Sequence, residues 1–394
     1  MRSEKVRRSV KLRSNTGAPK DFIQGNIACA EGAIAAGCRF FAGYPITPAT
    51  EIAEHMSKRL FSQGGTFIQT EDEIAAIATV IGASWGGAKA MTATSGPGIS
   101  LMQENIGLAV ATETPCVLVN VQRGAPSTGS PSVPLQGDML QPRFGSHGEY
   151  QIVAVAPATP QEMFDHTVWA FNKAEKYRTP VFVLADALVG HMRAEVSLTR
   201  GEELSLENRK VLARYEGVHQ QIFLDEDVAP MPVFGRGLKA NVTGSCHRED
   251  GFRNVSDPRV LDHLIKTLRA KILKHREDLV VVEADQMDDA RIALFSYGVT
   301  SRAAVEAVRL ARAEGIAAGS FRAVTVWPFP DEELVELAAR LDAIIVCENN
   351  LGQIVHFVRS AVDGRCPVEF LPPQTLGTLH DPQRILTKIR EVLS

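Results

Sequence analysis

Three side chains stand where their types could do chemistry: a hydroxyl at Thr47, a carboxylate at Glu73 and a guanidinium at Arg123. Thr47 closes the turn Gly43-Tyr44-Pro45-Ile46-Thr47-Pro48, which follows the apolar run at residues 39–42. Glu73 sits immediately before Ile74-Ala75-Ala76-Ile77-Ala78, a stretch apolar nearly all round. A helix with no polar face is buried on most sides, so Glu73 is carried toward the interior with it, where a carboxylate needs a reason to be. Arg123 follows a continuous apolar strand and opens the Gly/Pro-rich run Gly124-Ala125-Pro126-Ser127-Thr128-Gly129. Its planar fork suits a carboxylate.

Each of the three also has a purely structural reading. Thr47 and Pro48 have the residue types of a helix N-cap and first helical position. Thr70-x-x-Glu73 is a capping box, in which the Glu accepts from a backbone N–H and does no chemistry. Arg123 can simply tie down its loop. Spacing alone does not choose between these.

The elements that position them follow from periodicity. Residues 25–37 read as a small-residue helix ended by Gly37 in a left-handed cap. Residues 66–69, 89–94 and 115–121 read as strands, each leading toward helical spacing. Ser95-Gly96-Pro97-Gly98 turns one of them into the helix around residues 101–111 without the third glycine of a dinucleotide fingerprint or the Lys-Ser/Thr of a phosphate loop. A further strand, helix and strand at residues 152–186 extend the alternation, with His147 in a glycine-flanked loop as a hydrogen-bonding residue rather than a proton donor. The pattern dissolves from about residue 199 to 254, which reads as a linker that wraps the first domain. A polar helix at 258–276 then leads to a second alternating set with strands at 292–297, 320–326 and 343–348 and helices at 301–314, 331–341 and 353–362. The expected fold is α/β with two parallel-sheet domains, divided as a basic arm over 1–20, a first domain over 21–198, a linker over 199–256 and a second domain over 257–394.

Composition bounds the function. The 394 residues are 45% hydrophobic and 22% charged with a net charge of −4, an ordinary globular balance that gives no reason to expect nucleic acid. No run of about eighteen apolar residues exists to span a membrane. The basic N-terminus, with Arg2, Lys5, Arg7, Arg8, Lys11 and Arg13, lacks a following apolar core and reads as a solvated arm. The expectation is a soluble, cytoplasmic protein. The six cysteines form no close pair, so the chain offers no thiolate cluster for iron-sulfur ligation. Neither Cys246-His247 nor the other histidines have the spacing of a metal site.

GYPITPATE, TEDEIAA, TSGPG and QRGAPSTGSP, in this order, resemble the alpha subunits of 2-oxoacid:ferredoxin oxidoreductases, most closely the 2-oxoglutarate type. The likeness runs over nearly the whole chain after about Lys20. It implies a thiamine-diphosphate pyrimidine-binding domain followed by a transketolase C-terminal-like domain, with Trp327-Pro328-Phe329-Pro330 and Glu348-Asn349-Asn350 as landmarks. It further implies Glu73 as the catalytic contact to the aminopyrimidine, Tyr44, Pro45 and Ile46 as cofactor contacts, and Thr47 and Arg123 on the substrate. Ser132 stands where the family has a substrate-contacting Thr and keeps the hydroxyl. No Gly-Asp-Gly diphosphate motif occurs, so the resemblance implies a beta subunit carrying the diphosphate, Mg2+ and [4Fe-4S] sites. Ferredoxin, coenzyme A and a 2-oxoacid complete the expected partners, in a hetero-oligomer of two alpha-beta units. Pyruvate types share the YPITP turn and branched-chain types are a further alternative, and a dinucleotide-binding dehydrogenase or a non-catalytic scaffold remain the alternatives of a different class.

Overall fold

The computed structural model describes residues 20–199, 201–214, 220–225 and 227–394; all but the last residue of the expected basic arm lies outside them. The first half runs β1 Lys20–Gln24, α1 Gly25–Ala35, β2 Phe40–Gly43, α2 Thr50–Arg59, β3 Thr66–Gln69, α3 Glu73–Trp85, β4 Ala90–Thr94, α4 Gly96–Ala111 and β5 Cys116–Gln122. It continues through α5 Gln141–Phe144, β6 Val153–Val155, α6 Pro160–Tyr177, β7 Pro180–Asp186, α7 Ala187–His191 and β8 Arg193–Ser197. After the linker come α8 Pro258–Lys274, α9 Arg276–Leu279, β9 Val282–Asp285, β10 Ile292–Ser296, α10 Thr300–Ala313, β11 Ala318–Ala323 and β12 Thr325–Trp327. The chain closes with α11 Asp331–Ala338, β13 Ala343–Cys347, α12 Val355–Val362, β14 Val368–Leu371 and α13 Pro382–Leu393.

The larger sheet has seven strands in the order β12-β6-β7-β5-β4-β2-β3, parallel except for β12. Its central strand β5 is buried on both faces, as its unbroken apolar run requires. Val117, Val119 and Val121 point into the layer with α1 and α6, whereas Cys116 and Leu118 point into the layer with α3 and α4. Chain order reverses between β2 and β4: β3 lies outside β2, and β4, β5 and β7 extend the other way. That reversal opens a crevice at the carboxyl ends of β2 and β4, the usual ligand position in such sheets.

The small-residue helix ends as expected. Gly37 has φ +89°, Cys38 N–H donates to Ala33 O and Gly37 N–H donates to Ile34 O, a paired closure that satisfies the last carbonyls. At the end of α4 the same closure uses Glu113 at φ +46° in place of glycine. Its buried carboxylate is the reason: Glu113 accepts from Lys271 Nζ at 2.8 Å and from Leu224 N–H at 2.6 Å, and Arg178 Nε donates to its backbone carbonyl. Burial opposes ionisation of Glu113, but Lys271 and Arg178 outweigh it and the carboxyl titrates below its usual range. This network fastens α8 and the linker to the first sheet.

The linker has little regular structure among its described residues, a single 3-10 turn at Gly201–Glu203 and isolated bridges. It touches α6 and the end of α3. Arg209 pairs with Glu175 of α6 and donates to the carbonyls of Ser84 and Ala88 at 2.8 and 3.0 Å.

The smaller sheet has the order β14-β13-β10-β11-β9, parallel except for β9. The single strand expected at 320–326 is in fact two. β11 ends at Ala323 in the smaller sheet, and β12 pairs antiparallel with β6 at the edge of the larger one. Both halves are buried throughout, so the burial pattern carries no mark of the change of sheet. β1 and β8 form a separate antiparallel ribbon, and β9, β14 and α13 complete the second layer beyond the elements expected from periodicity.

Candidate functional site

The crevice gathers Glu73 from the start of α3, Thr94 from the end of β4, the Tyr44–Thr47 turn after β2 and Arg123 after β5. Glu73 is 4% exposed, and Thr94 Oγ1 donates to its Oε1 at 3.2 Å. The capping-box reading fails. The cap of α3 is Asp72, whose Oδ1 accepts from Ala75 N–H at 2.8 Å, and Thr70 bonds instead to the Asp72 carbonyl. Asp is short enough to reach the amide three residues on, which leaves Glu73 free to turn inward. The first turn of α4 passes directly over it: a Cβ at Gly98 would lie 2.5 Å from Glu73 Oε1 and 2.0 Å from Thr94 Oγ1. Gly98 therefore makes room for the carboxylate.

Thr47 is not a helix cap either. The helix begins at Thr50 with Ala49 before it and no side-chain cap, and Pro48 lies outside it. The exposed Thr47 occupies a turn whose carbonyls are held from below. Asn26 Nδ2 donates to Pro48 O at 2.7 Å and Arg123 Nη1 donates to Thr47 O at 2.5 Å. Arg123 is 5% exposed, its Nη2 donates to Thr128 O at 2.7 Å, and its Nε is buried without a partner. The guanidinium thus joins the Thr47 turn to its own loop and retains N–H groups that neither carbonyl takes. Tyr44 and Pro45 are exposed at the crevice rim, with Ile46 half-buried behind them. Ser132 is exposed in the turn after the Gly124–Ser130 bridge, and no hydrogen bond links it to Arg123.

Sequence reasoning missed Asp138. It is 8% exposed, accepts from Asn120 Nδ2 at 3.0 Å, and lies against the start of α4, where a Gly96 Cβ would be 3.1 Å from its Oδ2. Burial raises its carboxyl, partly opposed by Asn120 and the Arg123 charge. The available signal was a second acid, in Gly137-Asp138, on the loop that returns from Arg123. His147 is exposed and outside this group. His247 is buried between the carbonyls of Arg248 and Ala111, at 3.0 and 3.1 Å. Among the described residues no cluster of three or more His, Cys, Asp or Glu side chains is disposed to hold a metal. Burial pushes the thiols of Cys29, Cys38, Cys116 and Cys347 up to about 12, so they behave as small hydrophobes.

The donor set suits an aminopyrimidine edge: a buried carboxylate acceptor in a cradle kept open by Gly98, beside buried hydroxyls of Thr92 and Ser95 that have no partner. Residues 31–266 match the family described as pyruvate flavodoxin/ferredoxin oxidoreductase, thiamine diphosphate-binding, and residues 290–384 match core domain II of pyruvate:ferredoxin oxidoreductase. The chain belongs to the pyruvate flavodoxin/ferredoxin oxidoreductase family. Its place there is with the alpha-type subunits of the 2-oxoglutarate:ferredoxin oxidoreductases, which work with a partner chain.

It is 50% identical to the 2-oxoglutarate synthase subunit KorA of Methanothermobacter marburgensis, over 93% of this chain and 98% of that one. The ketoisovalerate oxidoreductase subunit VorB of Methanothermobacter thermautotrophicus is 38% identical over 94% of this chain and 97% of its own. In structure the chain is similar to 2-oxoglutarate:ferredoxin oxidoreductase from Magnetococcus marinus, solved with 2-oxoglutarate, coenzyme A and succinyl-CoA bound. The TM-score is 0.90 at 32% identity, over 96% of this chain and 66% of that one. A split-gene transketolase at 11% identity and TM-score 0.55 shares the fold.

Proposed function

We propose that this chain is the alpha subunit of an enzyme that oxidatively decarboxylates 2-oxoglutarate with coenzyme A, giving succinyl-CoA and carbon dioxide and passing the electrons singly to ferredoxin. The observation that carries the reading is the buried Glu73 carboxylate at the crevice where strand order reverses, in a chain half identical to 2-oxoglutarate synthase subunits. Thiamine diphosphate, when bound, supplies the nucleophilic carbon and the electron sink for loss of carbon dioxide. Glu73 would hydrogen-bond its aminopyrimidine and hold the proton that the ring exchanges, with Thr94 fixing the carboxylate from the other side. Tyr44, Pro45 and Ile46 would line the ring, and Arg123, Thr47 and Ser132 would receive the substrate's carboxylate end. Asp138 adds a second carboxyl near Arg123. The diphosphate, Mg2+ and [4Fe-4S] sites would belong to a beta subunit, in a hetero-oligomer of two alpha-beta units within the cytoplasm. The domain division at about 198 and 256 follows the linker.

The deciding experiment is turnover of the complex purified with its partner subunit, with 2-oxoglutarate, pyruvate and 2-oxoisovalerate as substrates and ferredoxin as acceptor. The highest kcat/KM is expected for 2-oxoglutarate. Preference for either other acid would replace the substrate assignment, and absence of thiamine diphosphate-dependent turnover with all three would overturn the catalytic reading.

A further inference from the structure

A cavity of about 380 Å³ lies where α5, α8, α12 and the turn after β12 meet, and it shares no lining residue with the crevice around Glu73. That volume is within the range of about 300–1,000 Å³ usual for small-molecule sites. Its apolar wall is aromatic. Phe144, 53% exposed, stacks on Phe357 at 5.7 Å and 28° and meets Trp327 edge-on, while Phe329 packs against both Trp327 and Phe357. The Trp327 indole N–H is occupied by Met139 O at 2.7 Å, so the wall presents ring surface rather than a donor.

Its polar side is cationic. Arg276 is neutralised locally, by Asp331 at 2.8 Å and Glu333 at 3.3 Å. Arg143 and Arg269 differ: among the described residues neither makes an ion pair. Arg143 lies 4.8 Å from the Phe144 ring centre and 5.5 Å from that of Tyr150. Burial lowers its pKa, Tyr150 and the exposed Glu149 oppose that, and Arg269 pushes the same way as burial. Half-buried Arg143 and exposed Arg269 thus put two guanidinium groups on one side of an aromatic cavity, where a bound anion meets both.

We propose that this cavity binds a nucleotide, with the heterocycle against Phe144 and Phe357 and phosphate on Arg143 and Arg269. Stacking suits any planar base, and paired guanidinium forks suit phosphate. The same chemistry comes from a free mononucleotide or from the adenosine 3′,5′-bisphosphate portion of coenzyme A; only the second source rests on the function proposed above.

The test is equilibrium dialysis of the complex, purified with its partner, against AMP, adenosine 3′,5′-bisphosphate, coenzyme A and inorganic phosphate, read as binding without turnover. Submillimolar binding of the nucleotides, much tighter than phosphate, is expected. It should weaken at least tenfold in Arg143→Gln/Arg269→Gln and in Phe357→Leu, with melting temperatures near the parent's, and persist in Arg123→Met and Glu73→Gln. Tighter binding of the bisphosphate and coenzyme A than of AMP would assign the site to coenzyme A, and equal binding to a free nucleotide. Lack of binding at millimolar concentration overturns the proposal. So does binding untouched by the arginine pair, or binding lost in Arg123→Met, which would seat the ligand in the Glu73 crevice. If Phe144→Ser dissociates the subunits while no nucleotide binds, the aromatic wall is a protein contact instead. Because no catalytic step is read, failure here is separate from failure of the substrate assignment.

Discussion

Glu73 and Arg123 show how little a residue's type says without its surroundings. Once Asp72 takes the helix cap, the carboxylate of Glu73 is left buried with a single side-chain donor, Thr94. Glu73→Gln keeps the size and a hydrogen bond but cannot share a proton. In the assembled complex it should slow exchange of the cofactor's thiazolium C2 proton by about a hundredfold to ten-thousandfold. Exchange at the parent's rate, with an unchanged melting temperature, would leave Glu73 a structural residue. Arg123 has two duties, since it already holds the carbonyls of Thr47 and Thr128. Loss of a charge-assisted contact costs on the order of 2 kcal/mol, so Arg123→Met should raise KM for the 2-oxoacid about thirtyfold. Cofactor affinity should hold. A lower melting temperature with KM unchanged would confine Arg123 to its loop.

At the scale of elements, α3 and α4 must cross near their N-termini for the carboxylate to fit between them, and Gly98 permits that approach. Any Cβ there meets Thr94 and Glu73 well inside contact distance. Gly98→Ala should therefore cost about 1–3 kcal/mol in stability, the usual range for overpacking. It should also displace Glu73 and lower kcat at least tenfold. Urea denaturation and turnover of the same preparation test both; a folded variant with parental kcat would show that the carboxylate's position is not critical. The glycine is visible in Ser95-Gly96-Pro97-Gly98, but its purpose is not, because the neighbour that needs the space lies on another helix.

Across the whole molecule, buried charge ties the layers together. Lys271→Met would remove the ammonium that pairs with Glu113 and leave the buried carboxylate with only the Leu224 N–H and the Arg178 charge, which costs about 3–5 kcal/mol. Adding Glu113→Gln should recover part of that loss in urea denaturation. No recovery would mean that the packing of Lys271, not its charge, matters. Asp186, at the end of β7, accepts from Val299 N–H at 2.8 Å and so links the larger sheet to the start of α10, while its Oδ1 has no partner. Burial raises its carboxyl from 3.8 to about 7, against the pull of Val299, Gln136 and Arg322. The folded chain therefore holds this proton more tightly than the unfolded one. Its stabilising contribution is full below about 3.8 and is lost as pH rises through about 7. Asp186→Asn should match the parent's melting temperature near pH 4 and exceed it by a margin that grows up to about pH 7 and then levels. A constant margin across that window would show that Asp186 does not titrate there.

Periodicity determined the alternation of strands and helices, because a buried parallel strand needs a continuous apolar run and its helices need one apolar face. The left-handed closure at Gly37 was equally local. So was the placing of Arg123 beyond an apolar strand. Tertiary structure decided the rest. Whether Glu73 capped its helix or turned inward depended on Asp72 winning the cap and on space under Gly98. That Thr47 presents its carbonyl to Arg123, that β12 leaves one sheet for the other, and that Asp138 returns beside Arg123 all depend on partners far away in the chain. Local spacing fixes which face a side chain takes on its own element, and only packing fixes what that face meets.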